Sequence, residues 1–298
     1  MKLHLAGAEN FYWCGKLGGG TSFLMSYFYA FHKARNTDEV LRILRNDPTD
    51  SWIMDSGLFT MMFGAESHKK YERKDLEAYT HRYIDTMQAI GYTGTIVEMD
   101  VHKILGMEAL QDFRRIFEER WPLERTIFVY HIEEKIEGLR AMCKKYPYIA
   151  LSIPELRKVV KHIPVKQYVY QLLVEAKKAN PDVRIHLLGN TQPDLLMSDM
   201  YSTCDSTSWM YDMLTGTCSQ LEIKGDQIKN HKVKWKDLKN LRQLYEAARN
   251  GRTIPSQEWL KRIESREYLM TCVIGANNFK KLEQYINEKF YRLKSLAT

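Results

Sequence analysis

Short apolar runs alternate along this chain with longer segments in which apolar residues recur every three or four positions. The short runs predict buried strands, and the longer segments predict amphipathic helices. In residues 73–90, for example, Leu76, Tyr79 and Tyr83 share one helical face. Predicted strands occupy residues 2–6, 52–54, 95–100, 126–131, 148–153, 183–188 and 201–204, and predicted helices occupy residues 23–33, 73–90, 107–120, 133–145, 167–179 and 236–250.

The alternation of strands and helices predicts repeated βαβ units and therefore a parallel sheet. About seven strands before residue 210 favour an α/β fold of the closed (β/α)₈ TIM type over a doubly wound sheet. We expect a single barrel domain over residues 1–298, with residues 221–298 as a basic, mainly helical segment packed on the barrel. The glycine-rich residues 15–21 predict a loop, either mobile over a site or an ordinary connection, and they lack the P-loop pattern.

Polar side chains occur at or just beyond the predicted carboxyl ends of the strands. These side chains are Asp55, Asp100, His131, Glu155, His186 and Asp205. Any one of them is readily explained as a helix N-cap or a turn residue. Because barrel enzymes assemble their active sites at this face, a single pocket explains the six together better.

The stretch Asp55-Ser56-Gly57-Leu58-Phe59 is the leading candidate for an active-site loop. Its acid follows a short apolar strand, and Gly57 lets the backbone approach a ligand closely. The same residue types also form plain turns. The recurrence of acids at later strand ends favours the active-site interpretation.

Three aspartates, Asp55, Asp100 and Asp205, suggest a particular chemistry. They show neither metal-ligand spacing nor a Ser-His-Asp arrangement, so we expect no metal and no other cofactor. A nucleophilic carboxylate and an acid/base carboxylate suit displacement at an anomeric carbon. The third carboxylate is suited to accept hydrogen bonds from the N–H groups of a heterocycle.

The formal net charge of +7 lies entirely in the last quarter of the chain. From Lys224 onward there are 17 Lys and Arg residues against 8 Asp and Glu residues, whereas the rest has 27 against 29. This segregation indicates a nucleic-acid surface, although a solvated strand or helix face is the alternative. The candidate phosphate contacts are Lys232, Lys234, Lys236 and Arg242.

The remaining composition indicates a soluble, intracellular protein. Five scattered cysteines without a C-x-x-C pair predict reduced, partly buried thiols. The first residues lack the apolar core of a signal peptide, and no run of about 18 apolar residues occurs, so we expect no membrane association.

The ordered motifs resemble those of the tRNA-guanine transglycosylase family over about residues 50–290. The stretch from Asp55 to Phe59 resembles that family's D-S-G-G-F-Q loop, and His186-Leu187-Leu188-Gly189 is similar to its H-L-L-G segment. Asp205 occupies the place of the nucleophilic aspartate, and Asp100 looks like the base-recognising aspartate. Two further matches are Val129-Tyr130-His131, at the position of the V-Q-G-G segment, and Asn277-Asn278-Phe279, which is similar to the H-N-L segment.

The departures from that family point to one branch of it. The zinc site of three cysteines and a histidine is missing, and Leu58 and Thr60 replace a glycine and a glutamine of the loop. The stretch from Leu151 to Glu155 replaces a glycine-rich segment. This trimmed pattern resembles the phage branch, which exchanges guanine in DNA for a 7-deazaguanine such as 7-cyano-7-deazaguanine and so protects the DNA from restriction.

The resemblance implies a role for each candidate residue. Asp205 would attack C1′, Asp55 would help to deprotonate the incoming base, and Asp100 with the backbone near Ser152 would hold the Watson–Crick edge. Phe59 or Tyr130 is a candidate stacking partner, although a core position is the first expectation for Phe59. The remaining predicted pocket residues are Ser56, Gly57, His131, His186 and Gly189.

The resemblance also implies partners and leaves two alternatives open. DNA and a free 7-deazaguanine are the expected substrates, in the cytoplasm of a host if the protein is phage-encoded, and a homodimer is left open. One alternative is a tRNA-directed transglycosylase with a reduced accessory domain. The other is a barrel that only binds nucleic acid, against which the presence of Asp55, Asp100 and Asp205 argues.

Overall fold

Eight parallel β-strands close into a barrel in chain order, which confirms the predicted (β/α)₈ class. The computed structural model describes residues 1–33, 37–47, 51–63, 68–190, 192–225 and 227–296. The barrel strands are β1 (Lys2–Ala6), β2 (Phe23–Ser26), β3 (Trp52–Asp55), β4 (Thr95–Val97), β5 (Thr126–Tyr130), β6 (Tyr148–Ser152), β7 (Arg184–Leu188) and β8 (Thr203–Ser206).

Helices follow most of the strands. Within the described ranges they are α1 (Ala8–Leu17), α2 (Thr37–Asn46), α3 (Leu58–Phe63), α4 (Arg73–Ala89), α5 (His102–Arg120), α6 (Lys135–Lys145), α7 (Ile153–Val159), α8 (Val165–Ala179), α9 (Pro193–Leu196), α10 (Tyr211–Thr215), α11 (Leu241–Arg249), α12 (Gln257–Glu264) and α13 (Glu267–Leu296). Among these helices, none has the length and apolar character needed to cross a membrane. All five cysteines are free and buried, more fully than the partly buried thiols that we expected.

The barrel strands are buried along nearly their whole length. Every residue of β4 and of β5 is buried. Neither face of a parallel sheet that is covered on both sides is exposed to solvent. The sequences of its strands are therefore continuous apolar runs without polar alternation. This explains why most of the strands could be recognised in the sequence.

The helix predicted over residues 23–33 is wrong in its first half. Phe23–Ser26 forms β2, and a π-helical turn at Phe28–His32 follows it. A short apolar run that is rich in aromatic residues fits a buried strand as well as a buried helix, so periodicity does not separate the two. Counting β2 brings the predicted seven strands to the observed eight.

The glycine-rich residues 15–21 are only partly a loop. The first three of them belong to α1, which ends at Leu17. A Cβ atom on Gly15 would lie 2.7 Å from Phe23 Cε1, so close packing requires glycine there. The glycine content of this stretch therefore reflects helix packing as well as a chain turn.

A β-hairpin carries many of the basic residues that follow the barrel. Its antiparallel strands are β9 (Thr217–Lys224) and β10 (Gln227–Lys234). The helix predicted over residues 236–250 begins only at Leu241, after a 3₁₀ turn at Trp235–Asp237. The C-terminal segment is thus less helical at its beginning than expected.

The chain divides into two compact units. Unit 1 comprises Met1–Phe23, Gly189–Asp199 and Thr203–Thr298, and unit 2 comprises Leu24–Leu188 and Met200–Ser202. Within unit 1, α13 packs on the first strand, since the backbone N–H of Leu3 donates to Glu283 Oε1 at 3.0 Å. Unit 1 therefore joins the two ends of the described chain.

Unit 2 contains a buried ionic network that consists of Glu98, Arg114 and Glu134. The Arg114 guanidinium is 2% exposed and lies 3.1 Å from Glu98 Oε2 and 2.7 Å from Glu134 Oε1. Arg114 Nη2 also donates to Val129 O at 2.7 Å, and Val129 N donates to Glu98 Oε1 at 2.6 Å. These side chains extend the pairing of β4 with β5 beyond the last residue of β4.

Replacing Arg114 with methionine should lower the free energy of unfolding by about 3–5 kcal/mol, because it leaves two carboxylates buried without a counter-charge. The neighbouring Arg115 is a matched control, since its side chain is 66% exposed and pairs with Asp112 at the surface. Arg115→Met should change stability by less than about 1 kcal/mol. Urea unfolding followed by circular dichroism measures both variants, and equal losses would contradict the role of the buried network.

Candidate functional site

The Asp55 loop follows β3 and is held by hydrogen bonds within unit 2. Asp55 Oδ1 accepts a hydrogen bond from Gly57 N at 2.7 Å. Tyr79 of α4 donates its hydroxyl to Ser56 O at 2.7 Å, and burial raises the pKa of Tyr79, so the hydroxyl remains a donor. Ser56 is buried, whereas Asp55 is partly exposed. The loop therefore holds the Asp55 carboxylate in a defined position at the strand end.

Gly57 is required by both its backbone conformation and its surroundings. Its φ of 80° lies in the left-handed region that side chains disfavour. A Cβ atom at this position would lie 2.5 Å from Phe28 Cβ and 2.7 Å from Ser26 Oγ. The loop can therefore approach the segment after β2 only if residue 57 is glycine.

Two histidines and two carboxylates of unit 2 form a compact group, which we call the histidine–carboxylate cluster: Asp100, His102, His131 and Glu155. Asp100 Oδ1 lies 2.5 Å from His102 Nδ1 and 2.9 Å from His131 Nε2. Glu155 Oε1 lies 3.1 Å from His102 Nε2, and Glu155 Oε2 lies 3.3 Å from His131 Nδ1. The two imidazole rings stack with their centroids 3.6 Å apart. Both rings thus lie between the same two carboxylates.

The cluster is assembled from the ends of three consecutive strands. Asp100 and His102 follow β4, His131 follows β5, and Glu155 lies in α7 just after β6. Ser152 is the N-cap of α7, because its Oγ accepts a hydrogen bond from Glu155 N at 3.4 Å. The predicted pocket residue Ser152 therefore helps to position Glu155.

The turn that bears His102 is separated from the rest of α5. Gly106 has non-helical angles, with φ of 85° and ψ of 173°, and so interrupts the helix. Arg114 lies on the longer part of α5, beyond this interruption. His102 and Arg114 are therefore both assigned to α5, but they lie in two helical segments on opposite sides of Gly106.

Electrostatic pairing keeps the Asp100 carboxyl ionised. Burial opposes ionisation, but the hydrogen bond with His102 and the nearby His131 outweigh burial and lower the pKa of Asp100 to about 2. Burial also disfavours the His131 cation, but Asp100 and Glu155 outweigh it and raise the pKa of His131 to about 10. The same histidines lower the pKa of Glu155 against the opposing effect of burial.

Asp100 has one oxygen engaged in the cluster and a second that points elsewhere. Both histidine contacts use Oδ1. No hydrogen bond among the described residues uses Oδ2, and the side chain is 35% exposed. Asp100 therefore combines a fixed position with an ionised, accessible acceptor.

In unit 1, Asp205 lies within β8 and is 7% exposed. Its Oδ1 accepts a hydrogen bond from the backbone N–H of Gly189 at 3.0 Å. Gly189 directly follows β7, so the end of one strand orients the carboxylate of the next strand in the chain. This hydrogen bond from a backbone N–H sets the orientation of the Asp205 carboxylate.

Phe59 does not occupy the core position that we expected. Its side chain is 62% exposed, and Lys158 Nζ lies 5.8 Å from its ring centroid. Helix α3 begins at Leu58 and turns Leu58 and Met61 inward, which directs Phe59 to the surface. The Asp55 loop therefore exposes an aromatic ring to solvent.

Two other predicted pocket residues are buried. Tyr130 is the last residue of β5 and is 2% exposed, and burial raises the pKa of its hydroxyl. His186 lies in β7 and has no exposed surface. Phe59 is therefore far more accessible for stacking than Tyr130.

Sequence reasoning missed His102 and its neighbour Lys103. Lys103 Nζ lies 2.6 Å from Glu133 Oε1 and 3.0 Å from Glu155 Oε1, so it flanks the cluster. The available signal was the Asp100-x-His102 spacing, followed by His131 and Glu155 at the next two strand ends. We had grouped Asp100 with His131 and Glu155 as polar residues at strand ends, and we omitted His102 because it lies two residues beyond the predicted end of its strand.

The candidate phosphate contacts are all exposed in unit 1: Lys232 and Lys234 on β10, Lys236 in the following 3₁₀ turn, and Arg242 on α11. Lys232 Nζ lies 5.1 Å from the centroid of the exposed Tyr211 ring and 3.9 Å from Asp212 Oδ1. Lys234 and Lys236 form no ion pair with any residue that the structure describes. Their charges are therefore available to an anionic partner.

Comparison with known proteins does not assign this chain to a family. No protein-family model matches the sequence. No curated protein sequence matches it either. Membership of the transglycosylase family therefore stays a prediction from the motifs.

Gly57→Ala should destabilise unit 2 more than Gly91→Ala. Both glycines have positive φ, for which a side chain costs about 1–2 kcal/mol. Only at Gly57 does the new Cβ also meet Phe28, and overpacking adds about 1–3 kcal/mol. At Gly91, no atom of the described residues beyond its chain neighbours lies within 4 Å of a Cβ. Urea unfolding compares the two, and equal losses would show that the contact with Phe28 does not require glycine.

Proposed function

We propose that this protein is a base-exchange transglycosylase that replaces guanine in DNA with a 7-deazaguanine base. The proposal is supported by the resemblance of the motifs around three aspartates, of which Asp55 ends β3, Asp100 follows β4 and Asp205 lies within β8 of a (β/α)₈ barrel. The observation that carries it is the buried Asp205 carboxylate, oriented by the backbone N–H of Gly189. Such exchange in phage DNA would protect it from restriction enzymes.

The proposed reaction consists of two displacements at one carbon. The Asp205 carboxylate attacks C1′ of the target nucleotide, the C1′–N9 bond breaks, and guanine leaves with the electron pair and takes up a proton from solvent water. Deprotonated N9 of the 7-deazaguanine then attacks C1′, which breaks the bond to Asp205 and regenerates its carboxylate. Two inversions retain the β configuration of the nucleoside.

Asp55 is assigned to the proton transfer of the second displacement. Its carboxylate is partly exposed and is fixed at one oxygen by Gly57 N. In this role it accepts the N9 proton of the incoming base, which makes that base a nucleophile. A general base needs a fixed position more than a buried one, and the loop supplies that position.

Asp100 is assigned to recognition of the base. Its pKa of about 2 keeps it ionised, and its free Oδ2 is an acceptor for N1–H and N2–H₂ of a guanine-like ring. Adenine lacks this donor pattern and would leave the carboxylate unpaired, which is unfavourable by several kcal/mol. The exposed ring of Phe59 is suited to stack on the flipped base.

The β9–β10 hairpin is assigned to the polymer. It presents Lys232 and Lys234 to solvent, and Lys232 lies against the exposed ring of Tyr211. Lysines attract phosphates regardless of sequence, and an exposed aromatic ring stacks on unpaired bases. This combination is typical of surfaces that hold nucleic acid close to a flipped nucleotide.

Asp205→Asn should abolish both covalent capture of DNA and exchange of radiolabelled guanine, with a loss of at least about 1000-fold in rate. Asp55→Asn should slow exchange by about 100-fold or more and allow the covalent adduct to accumulate, because the second displacement loses its base. The measurement is incorporation of labelled base into duplex DNA, single-stranded DNA and tRNA, with labelled adenine as the test of base selection.

Asp194→Asn is the matched control for these variants, because Asp194 is an exposed aspartate of unit 1. It should retain wild-type exchange. Exchange at the wild-type rate by Asp205→Asn would refute the mechanism. Activity on tRNA alone would redirect the proposal to tRNA, and a wild-type protein without activity on any polymer would favour a binding module.

Charge reversal of Lys232, Lys234 and Lys236 to glutamate should raise the KM for DNA and leave the affinity for free 7-deazaguanine unchanged. It should also make the slope of the logarithm of the DNA-binding constant against the logarithm of salt concentration less negative. The expected change is about 0.9 for each duplex phosphate contact that is lost. Fluorescence anisotropy of labelled DNA at several salt concentrations measures this slope.

The matched control reverses three exposed lysines of unit 2, namely Lys144, Lys166 and Lys178. This variant has the same net charge as the hairpin variant but an unchanged hairpin. Similar losses of DNA affinity in both variants would show that overall charge, and not the hairpin, attracts DNA.

A further inference from the structure

We propose that a divalent transition-metal ion is bound by His102 Nδ1, His131 Nε2 and Asp100 Oδ1. In this site, Glu155 orients both imidazoles through their other ring nitrogens. This inference goes beyond base exchange and does not depend on it. It concerns the histidine–carboxylate cluster alone, all of whose members belong to unit 2.

The three donor atoms already lie close enough to share one ion. All three lie within 4.8 Å of one another, and Asp100 Oδ1 is 2.5 Å from His102 Nδ1 and 2.9 Å from His131 Nε2. They come from the segments that follow β4 and β5, where the barrel fixes the backbone. Ion binding would replace the hydrogen bond between Asp100 and His102 with two metal–ligand bonds.

The orientation of His131 points independently to a ligand. Its ring has no exposed surface, and no group of the described residues forms a hydrogen bond with Nε2. Asp100 Oδ1 lies only 2.9 Å away, yet the contact does not have hydrogen-bond geometry. If a ring nitrogen and a carboxylate oxygen that are 2.9 Å apart both bind one ion at about 2.0–2.1 Å, the nitrogen lone pair points toward the ion. Its direction is then about 45° away from the oxygen.

Glu155 has the geometry of a carboxylate that supports metal-bound histidines. Its two oxygens contact the far nitrogens of the two rings, His102 Nε2 at 3.1 Å and His131 Nδ1 at 3.3 Å. Histidines that bind metals commonly donate their other N–H to a carboxylate, which sets the tautomer and the ring orientation. One glutamate here serves both rings, and the Ser152 cap of α7 positions it.

A second set of donors in the same region, His102, Glu133 and Glu155, is a poorer candidate. Lys103 Nζ lies 2.6 Å from Glu133 and 3.0 Å from Glu155, so an ammonium group already neutralises these carboxylates. A cation bound there would have to displace the lysine. The set that contains Asp100 has no such lysine contact among the described residues.

The donor chemistry indicates the class of ion. Two imidazoles and one carboxylate are ligands of Zn²⁺ and of Fe²⁺, whereas Ca²⁺ and Mg²⁺ prefer oxygen donors. Three protein ligands leave coordination positions open to water or a substrate oxygen, and Asp100 is 35% exposed. Two imidazoles at the tetrahedral angle around one zinc ion would have centroids about 5.2 Å apart, so binding should widen the stack from 3.6 Å.

The test is a zinc titration of the chelator-treated, full-length protein against a competing chromophoric chelator. We expect about one Zn²⁺ per chain, at least about 100-fold weaker binding by His131→Ala, and about 10–100-fold weaker binding by Glu155→Gln. His81→Ala is the control for adventitious histidine binding, because His81 is exposed on α4, and it should bind zinc as the wild type does.

The ligand set is tested separately by X-ray absorption of the zinc-loaded wild-type protein, so the proposal stays falsifiable even if His131→Ala does not fold. The spectrum should show outer-shell scattering from two imidazoles. Less than about 0.1 equivalent of bound zinc, equal affinity in His131→Ala, or a spectrum without imidazole would overturn the proposal. Asp205→Asn should bind zinc fully, so failure of base exchange and failure of the metal site are distinguishable.

Discussion

The burial of Arg114 between Glu98 and Glu134 is the interaction on which the polar ends of β4 and β5 depend. Glu98 lies two residues before Asp100, and Glu134 Oε2 accepts the backbone N–H of His131 at 3.1 Å. A buried charge that loses its partner costs several kcal/mol, so the three side chains are stable only together. The positions of Asp100 and His131 follow from that network.

A common arrangement recurs at the three candidate aspartates. Each has an oxygen engaged by a group of its own compact unit: Gly57 N for Asp55, the two imidazoles for Asp100, and Gly189 N for Asp205. Two of the three engaging groups are backbone N–H groups at strand ends, where loop geometry and not side-chain packing sets the direction. The barrel thus orients Asp55 and Asp205 with its own main chain, whereas the position of Asp100 depends on side chains.

The sequence predicted most of the barrel strands but not the partners of the side chains that follow them. Strands β3, β4 and β5 could be found because buried parallel strands are continuous apolar runs, but β4 ends at Val97, three residues before its predicted end. His102 was missed because its contacts with His131 and Glu155 join segments that are far apart in the chain. Phe59 was misplaced because its direction depends on where α3 begins, and element boundaries are poorly encoded in local composition.

The break at Gly106 separates the turn that bears His102 of the cluster from the part of α5 that bears Arg114 of the buried ionic network. The turn that bears His102 is joined to the remainder of α5 by one non-helical residue, and no described atom lies within 4 Å of the place that a Cβ atom would take there. Arg114, which stabilises the barrel, lies beyond that joint. Changes in length or sequence between residues 101 and 106 can therefore reshape the cluster while the scaffold persists, so the chemistry and the fold of this protein can evolve at different rates.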